Sequence, residues 1–250
     1  MSKIALLVPI CSRGQNYIDL SSTSFFTYFY PNLIHTMENI YQYTIFLGYD
    51  SSDEFFTEEV IHMLIQMCNI MNRDINVVSV KLNRCEHKPA KAWNKLFKRA
   101  ILKDFDYYYQ IGDDVVMETK WTSKFIEVLR ARNNIGVVGG CHNRNYIQRR
   151  NIGRPAVIEN AFVHKTHYQI FKTFFDENIE NWYCDDWLTE VYKPDNSTHL
   201  LDVTVMNKVG QGEPPRYNIR NIGHSILGLI EKGKHRLVRF NSNGKCSGAY

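Results

Sequence analysis

Short apolar runs alternate with helical patterns through residues 1–140, and this alternation constrains the fold more than any other feature of the chain. Ile4–Pro9 is a continuous apolar run closed by the polar Cys11, Ser12, Arg13 and Gly14. Tyr43–Leu47 repeats the pattern and ends in Gly48, Tyr49, Asp50, Ser51, Ser52 and Asp53. Between Glu58 and Met71, the residues Val60, Ile61, Leu64, Ile65, Cys68 and Met71 share one helical face. A strand is predicted at Asn76–Val80. A second helix follows Pro89, with Trp93, Leu96, Phe97, Ala100 and Ile101 at spacings of three and four. Phe105–Ile111 is the next strand, and Trp121, Phe125, Val128 and Leu129 mark a helix before a strand at Ile135–Val138. Strand–helix alternation of this kind folds into a parallel sheet with right-handed crossovers. Ligands of such sheets bind beyond the carboxyl ends of the strands. The polar clusters after Pro9, Leu47 and Ile111 are therefore expected to line one cleft.

The second half is less regular. Cys141–Pro155 is polar and rich in Arg and Asn, and Gly210–Tyr217 carries turn residues, so both read as loops. Helical patterns return at Tyr168–Phe175 and Asp186–Tyr192, a strand at Leu200–Met206, and a short helix at Ile226–Lys232 before a basic tail. A length of 250 residues and 44% hydrophobic content suit one α/β domain, 1–250, with a mostly parallel central sheet flanked by helices and an irregular C-terminal part. Six scattered cysteines, with no C-x-x-C pair, argue against a zinc ribbon or a disulfide framework and for reduced thiols. The apolar run that follows Met1 is too brief for a signal peptide or a membrane span, so the chain reads as soluble and cytoplasmic. A composition rich in Ile, Asn and Lys suggests an AT-rich genome such as that of a large DNA virus.

The strongest chemical signal is Asp113-Asp114, which closes the strand Tyr107–Ile111. Two adjacent carboxylates raise each other's pKa, and a hard divalent cation removes that cost while bridging a diphosphate. A solvated turn or a helix N-cap is the alternative for an isolated Asp-Asp pair. Its position at the end of a central strand, beside two similar strand ends, favours the metal.

Here the sequence resembles the GT-A glycosyltransferases, whose metal motif is D-x-D or a variant such as E-D-D. The segment Tyr108 to Val115 is especially similar to Tyr-Tyr-x-Gln-Leu-Glu-Asp-Asp-Ile of the N-acetylglucosaminyltransferase IV group. The resemblance makes Asp114 the metal ligand. The first acidic position of the motif is Gly112 here, so the three-residue spacing is incomplete, and Asp113 is assigned to the donor instead. Val8 to Arg13 resembles the first strand and loop that cradle the nucleotide, which implicates Pro9, Ser12 and Arg13. Asp50 and Asp53 sit where the family places a carboxylate against the base, often uracil, whose ring N–H an Asp can accept. Lys88 to Ala100 resembles the helix before the metal strand, which implicates Lys91 and Asn94. For Lys88 and Lys91 a solvated helix face is an equal alternative. The resemblance runs from Lys3 to Tyr192, and it implies a GT-A-like fold with a nucleotide-binding half, 1–140, and an acceptor-binding half, 141–250.

Asp185-Asp186 is the second carboxylate pair. In inverting members of the family an acid at the start of a late helix deprotonates the acceptor hydroxyl, which implies Asp186 or Asp185 as the base. A first-turn acid favoured by the helix dipole is the alternative. A C-terminal His often completes the metal site of the family, so His224 is assigned to the metal, with His199 and the more remote His164 as other candidates. Arg216 can reach a phosphate, and Trp182, Tyr183 and Trp187 can stack on a sugar or belong to the core.

The expected activity is thus transfer of a sugar from a nucleoside-diphosphate sugar, with UDP favoured, to a glycan hydroxyl, with Mn2+ or Mg2+ as cofactor. A sugar-phosphate nucleotidyltransferase would show a glycine-rich N-terminal loop, and only Gly14 lies in this one. A non-catalytic nucleotide- or glycan-binding module would not need two carboxylate pairs. Nucleic acid is not expected as a partner: the basic stretch Asn143–Arg154 has little aromatic interleaving, and the net charge is only +4.

Overall fold

The computed structural model describes residues 1–141, 156–208 and 225–246, with side chains to residue 242. Its centre is an eight-stranded sheet in the order β3-β2-β1-β4-β7-β6-β8-β5. The strands are β1 (Lys3–Ile10), β2 (Gln42–Asp50), β3 (Ile75–Leu82), β4 (Tyr107–Gln110), β5 (Val115–Met117), β6 (Val137–Cys141), β7 (Ala161–His164) and β8 (Ser197–Asn207). The helices are α1 (Tyr30–Thr36), α2 (Glu58–Met71), α3 (Pro89–Ile101), α4 (Thr122–Arg130), α5 (Thr166–Phe171), α6 (Cys184–Tyr192) and α7 (Ser225–Cys246).

Parallel pairing holds across β3, β2, β1 and β4, as the alternation of strands and helices requires. It returns between β6 and β8. β7 runs antiparallel to both β4 and β6, and β5 antiparallel to β8. These two short antiparallel strands carry too few alternating residues to be legible in sequence.

Side-chain alternation along the strands divides the core into two layers. Ile4, Leu6, Val8 and Ile10 of β1, with Tyr43, Ile45 and Leu47 of β2, meet α1, α2 and α4 on one face. Ala5, Leu7, Phe46 and Tyr108 face the other way, against α3, α5, α6 and α7. The helix α3 packs closely through Ala90, Ala92, Leu96, Phe97 and Ala100. Its N-terminus is latched by Lys88 to Glu180 at 2.6 Å and by Ala90 N–H to the Glu180 carbonyl at 3.1 Å.

The C-terminal segment departs from the sequence expectation. In place of a short helix and a basic tail, α7 continues for 22 residues. Ile226, Ile230 and Leu237 give it a continuous buried stripe. Gly233 lies within that stripe, where a Cβ would stand 2.5 Å from Val191 Cγ2. A glycine inside a helix costs about 1 kcal/mol relative to alanine, and the close approach to α6 offsets that cost. Among the described residues Cys11, Cys68, Cys85, Cys141 and Cys184 form no disulfide. Among the described residues no helix is long and apolar enough to cross a membrane.

Candidate active site

The strands β1, β2 and β4 end at the same edge of the sheet, and the loops that follow β1 and β2 are tied together. Asp53 is the tie. Its carboxylate accepts the Ser12 backbone N–H at 2.8 Å and the Ser12 hydroxyl at 2.7 Å. It also accepts the N–H groups of Phe55 and Phe56 at 3.1 and 2.9 Å. Asp53 and Ser12 therefore shape the loops and are largely committed to each other. Beside them a depression of about 470 Å3 is lined by Ser12, Gln15, Asn16, Tyr17, Ile18, Glu54 and Phe55.

Asp50, the last residue of β2, is only 8% exposed. Its Oδ2 lies 3.6 Å from the Arg13 guanidinium. Its Oδ1 is buried and has no hydrogen-bond donor among the described residues. Burial pushes the carboxyl above the usual aspartate range, against the opposing pull of Arg13. A buried acceptor of this kind is costly unless a donor reaches it. Pro9, near the end of β1, and Lys91, in the first turn of α3, are half-buried at the same edge.

Asp113 and Asp114 follow β4 on this edge, Asp113 being 3% exposed and Asp114 half-buried. The Asp114 carboxylate folds back over residue 112, where a Cβ would stand 2.5 Å from its Oδ1. The Asp114 carbonyl accepts the Lys208 N–H at 2.9 Å, which fixes this turn against the end of β8. Glycine at position 112 thus leaves room for the carboxylate of Asp114. Among the described residues no three His, Cys, Asp or Glu side chains form a ready-made metal cluster.

On the other side of the edge, Asp185 and Asp186 occupy the first turn of α6. The Cys184 thiol donates to Asp185 Oδ1 at 2.8 Å. Burial, aided by the neighbouring Glu159 and Asp186 charges, pushes the Asp185 carboxyl up to about 6. Glu159 is a site residue that the sequence reading missed. It accepts the Asn207 amide at 3.2 Å, and Asn207 in turn accepts from Asn160 at 3.2 Å. The residues Glu159 and Asn160 immediately precede β7, which pairs with β4 so that Ala161 stands opposite Gln110. No local signal marks it, because the strand it precedes is only four residues long.

Several expected residues lie elsewhere. Asn94 is buried in the core. It accepts the N–H groups of Phe174 and Phe175 at 3.1 and 2.8 Å and donates to the Phe175 carbonyl at 3.0 Å. That removes it from the set open to a nucleotide. Trp187 is also core, 1% exposed, with its indole N–H on the Leu229 carbonyl at 3.1 Å. Trp182 is 43% exposed and Tyr183 half-buried, so both can meet a ligand. His164 stands opposite Tyr107, at the start of β4 and away from the cleft, and burial lowers its pKa to about 4. His199, on β8 beside Gly139, is half-buried with its pKa lowered by burial. His224, Arg216 and the basic stretch Asn143–Arg154 lie outside the described residues.

No protein-family model matches the chain, and no curated protein matches it in sequence. Solved structures do match in fold. TarS of S. aureus, residues 1–349 in complex with UDP, superposes with a TM-score of 0.56 at 12% identity, over 92% of this chain and 65% of that one. The same TarS fragment with UDP-GlcNAc gives 0.51 at 13% identity, over 91% of this chain and 61% of that one. The mannosyltransferase PcManGT of Pyrobaculum calidifontis, in complex with GDP-Man and Mn2+, gives 0.51 at 13% identity, over 84% and 58%. The chain spans less than two thirds of the length of these proteins. A curled mixed sheet flanked by helices is the fold that this chain shares with the GT-A-type glycosyltransferases.

Proposed function

We propose that this protein is a glycosyltransferase that moves a sugar from a nucleoside-diphosphate sugar to a glycan hydroxyl with inversion at the sugar carbon. The observation that carries the reading is the buried Oδ1 of Asp50, an acceptor without a donor at the end of β2. We assign to it the ring N–H of a nucleobase, admitted by a shift of the loop that carries Arg13, since the oxygen is closed to solvent in this structure. Arg13 occupies the other oxygen, at 3.6 Å, so a base with one such donor, as in uracil, matches better than guanine with its larger set. The neighbours of the same fold carry UDP, UDP-GlcNAc or GDP-Man, which agrees with this class of donor.

A hard divalent cation, Mn2+ or Mg2+, suits the carboxylate oxygens of Asp114, which fold back over Gly112. When bound there, it would neutralise charge on the donor diphosphate. Asp114 would hold it, with Asp113 close by and the remaining ligands drawn from water and phosphate. His224 remains the proposed protein ligand from the C-terminal segment.

Asp186 is the group we assign to the acceptor proton. Its neighbour Asp185 is engaged by the Cys184 thiol at 2.8 Å, and both carboxyls open α6 at this edge. Glu159 and Asn207 stand between this pair and the Asp114 turn, in position to orient sugar hydroxyls by hydrogen bonds. The exposed Trp182 offers an apolar face for an acceptor ring.

The test is a donor screen with purified protein that reads nucleoside diphosphate release in the presence of Mn2+ or Mg2+. Slow release from one UDP-sugar, lost in Asp114→Ala, is expected. Pyrophosphate release from a nucleoside triphosphate would indicate a nucleotidyltransferase instead. Thermal stabilisation by UDP with no turnover on any donor would indicate a binding module.

A further inference from the structure

A second cavity lies away from the cleft, on the face covered by α5 and α7. Its volume is about 750 Å3, and its lining includes Lys98, Lys172, Thr173, Lys232, Arg236 and Arg239. Lys98 sits late in α3, whose first turn is at the cleft edge, so the cavity opens toward the opposite edge of the sheet. It is of a size that takes a small ligand.

The charges around it are unbalanced. Glu177 is engaged by Lys98 at 2.6 Å. Asp176, nearly buried, accepts the backbone and side-chain N–H groups of Asn178 at 3.0 and 2.7 Å on one oxygen. Among the described residues, Lys172, Lys232, Arg236 and Arg239 form no ion pair. Lys232, Arg236 and Arg239 follow spacings of four and three, which puts them on one stripe of α7 along the flank of its buried face. The Arg236 guanidinium makes one long bond, 3.4 Å, to the Phe171 carbonyl and retains its other donors. Lys172 Nζ lies 5.3 Å from the centre of the Tyr168 ring, which holds the ammonium at the rim.

The second observation is independent of charge. Thr173 lines the cavity and is 5% exposed, and its Oγ1 is buried without a hydrogen-bond partner among the described residues. A buried hydroxyl in that condition calls for a donor or acceptor from the cavity itself.

We propose that this cavity is a second binding site, for a ligand carrying two or more phosphate groups. Guanidinium groups match phosphate oxygens in paired geometry, and ammonium groups add charge without that geometry. Set against the one unpaired carboxylate, Asp176, these four cations leave a surplus of about three charges, more than a single phosphate of about −1.5 to −2 neutralises. The Thr173 hydroxyl, closed to solvent in this structure, reaches a phosphate oxygen at the floor by rotation about its χ1. The ligand is either a soluble phosphorylated molecule or the headgroup of a phosphorylated lipid, which share this chemistry.

The experiment is isothermal titration of the full chain with inorganic tripolyphosphate in EDTA, so that a cation-dependent donor cleft contributes little. Binding is expected in the wild type and in Arg13→Ala. In Lys232→Ala/Arg239→Ala, whose exposed side chains do not support the fold, affinity should fall about tenfold or more. Thr173→Val should lower it by a smaller factor at unchanged thermal stability. Absence of binding in the wild type, or equal binding in the double variant, overturns the proposal. Loss of binding in Arg13→Ala alone overturns it too, because the anion would then sit in the cleft. Sedimentation with phosphatidylcholine vesicles, with and without phosphatidylinositol bisphosphate, assigns the source. Sensitivity of that binding to the same double variant identifies a lipid headgroup, and tripolyphosphate binding without vesicle binding identifies a soluble ligand.

Discussion

On the β1–β2–β4 side of the cleft, each candidate carboxylate sits at the end of a parallel strand, placed there by its own β–α unit. Asp50 closes β2, and Asp113 and Asp114 follow β4 within a few residues. On the β7–β8–α6 side, the comparable groups come from unlike elements. Glu159 precedes a short antiparallel strand, Asn207 ends β8, and Asp185 and Asp186 open α6. The first side is a product of local pattern, because a parallel strand delivers whatever follows it to the same edge. The second side exists only because chain segments far apart in sequence are hydrogen-bonded across one another, as Glu159 to Asn207 and Asn207 to Asn160 show. The difference predicts that the first side binds and the second side does the proton chemistry and the choice of acceptor.

Substitutions that separate the two sides carry the largest effects. Asp186→Asn should lower transfer about 100- to 10,000-fold, with the donor dissociation constant unchanged in titration calorimetry. Loss of donor affinity in that variant would merge the two sides into one. Asp50→Asn should do the reverse, weakening donor binding about 10- to 100-fold, the range for a hydrogen bond to a charged group. The same carboxyl sets a pH dependence. Its value is raised by burial, so wild-type donor affinity should fall as the pH drops through that raised value and the acceptor is protonated. Donor affinity of Asp50→Asn should be flat over the same window.

Asn94→Ala should touch neither side. It leaves the Phe174 and Phe175 N–H groups buried without an acceptor, for a loss of about 2 kcal/mol in chemical denaturation. Donor affinity in the folded fraction should be that of the wild type, and a specific loss there would return Asn94 to the donor site. Asp185→Asn should act on stability at a scale comparable to Asn94→Ala but in the opposite direction. The folded-state carboxyl titrates at about 6, above its ordinary 3.8, so the folded state binds the proton more tightly than the unfolded chain. Stability due to this group therefore falls as pH rises from about 4 to 6 and stays reduced above that window. The Asn variant should melt a few degrees higher than wild type at pH 8, and the gap should close at pH 4. An unchanged gap at pH 4 would mean that Asp185 carries no buried charge.

Legibility of the site in the sequence follows this division. Asp50 and Asp114 could be read because a long apolar run announces a strand, and the polar residue that ends it needs no tertiary knowledge. Asn94 misled for the opposite reason. A helical Asn reads the same whether it meets a ligand or a backbone segment, and only the approach of residues 174–175 decided. Glu159 could not be placed, because β7 is four residues long and its partners are β4 and β6. The basic stripe of α7 was read as a tail, since nothing local shows that α6 will receive Gly233.

Sequence by itself determined the parallel part of the sheet, the two faces of its core and the carboxylates at the ends of β2 and β4. Those follow from periodicities of two and 3.6 residues, which are properties of the backbone and require only neighbours in the chain. Tertiary structure alone decided the antiparallel strands, the length of α7, the loop-building role of Asp53 and the company kept by Asp185. Each of these is set by burial and by hydrogen bonds between distant segments, and those energies appear only once the segments are packed together.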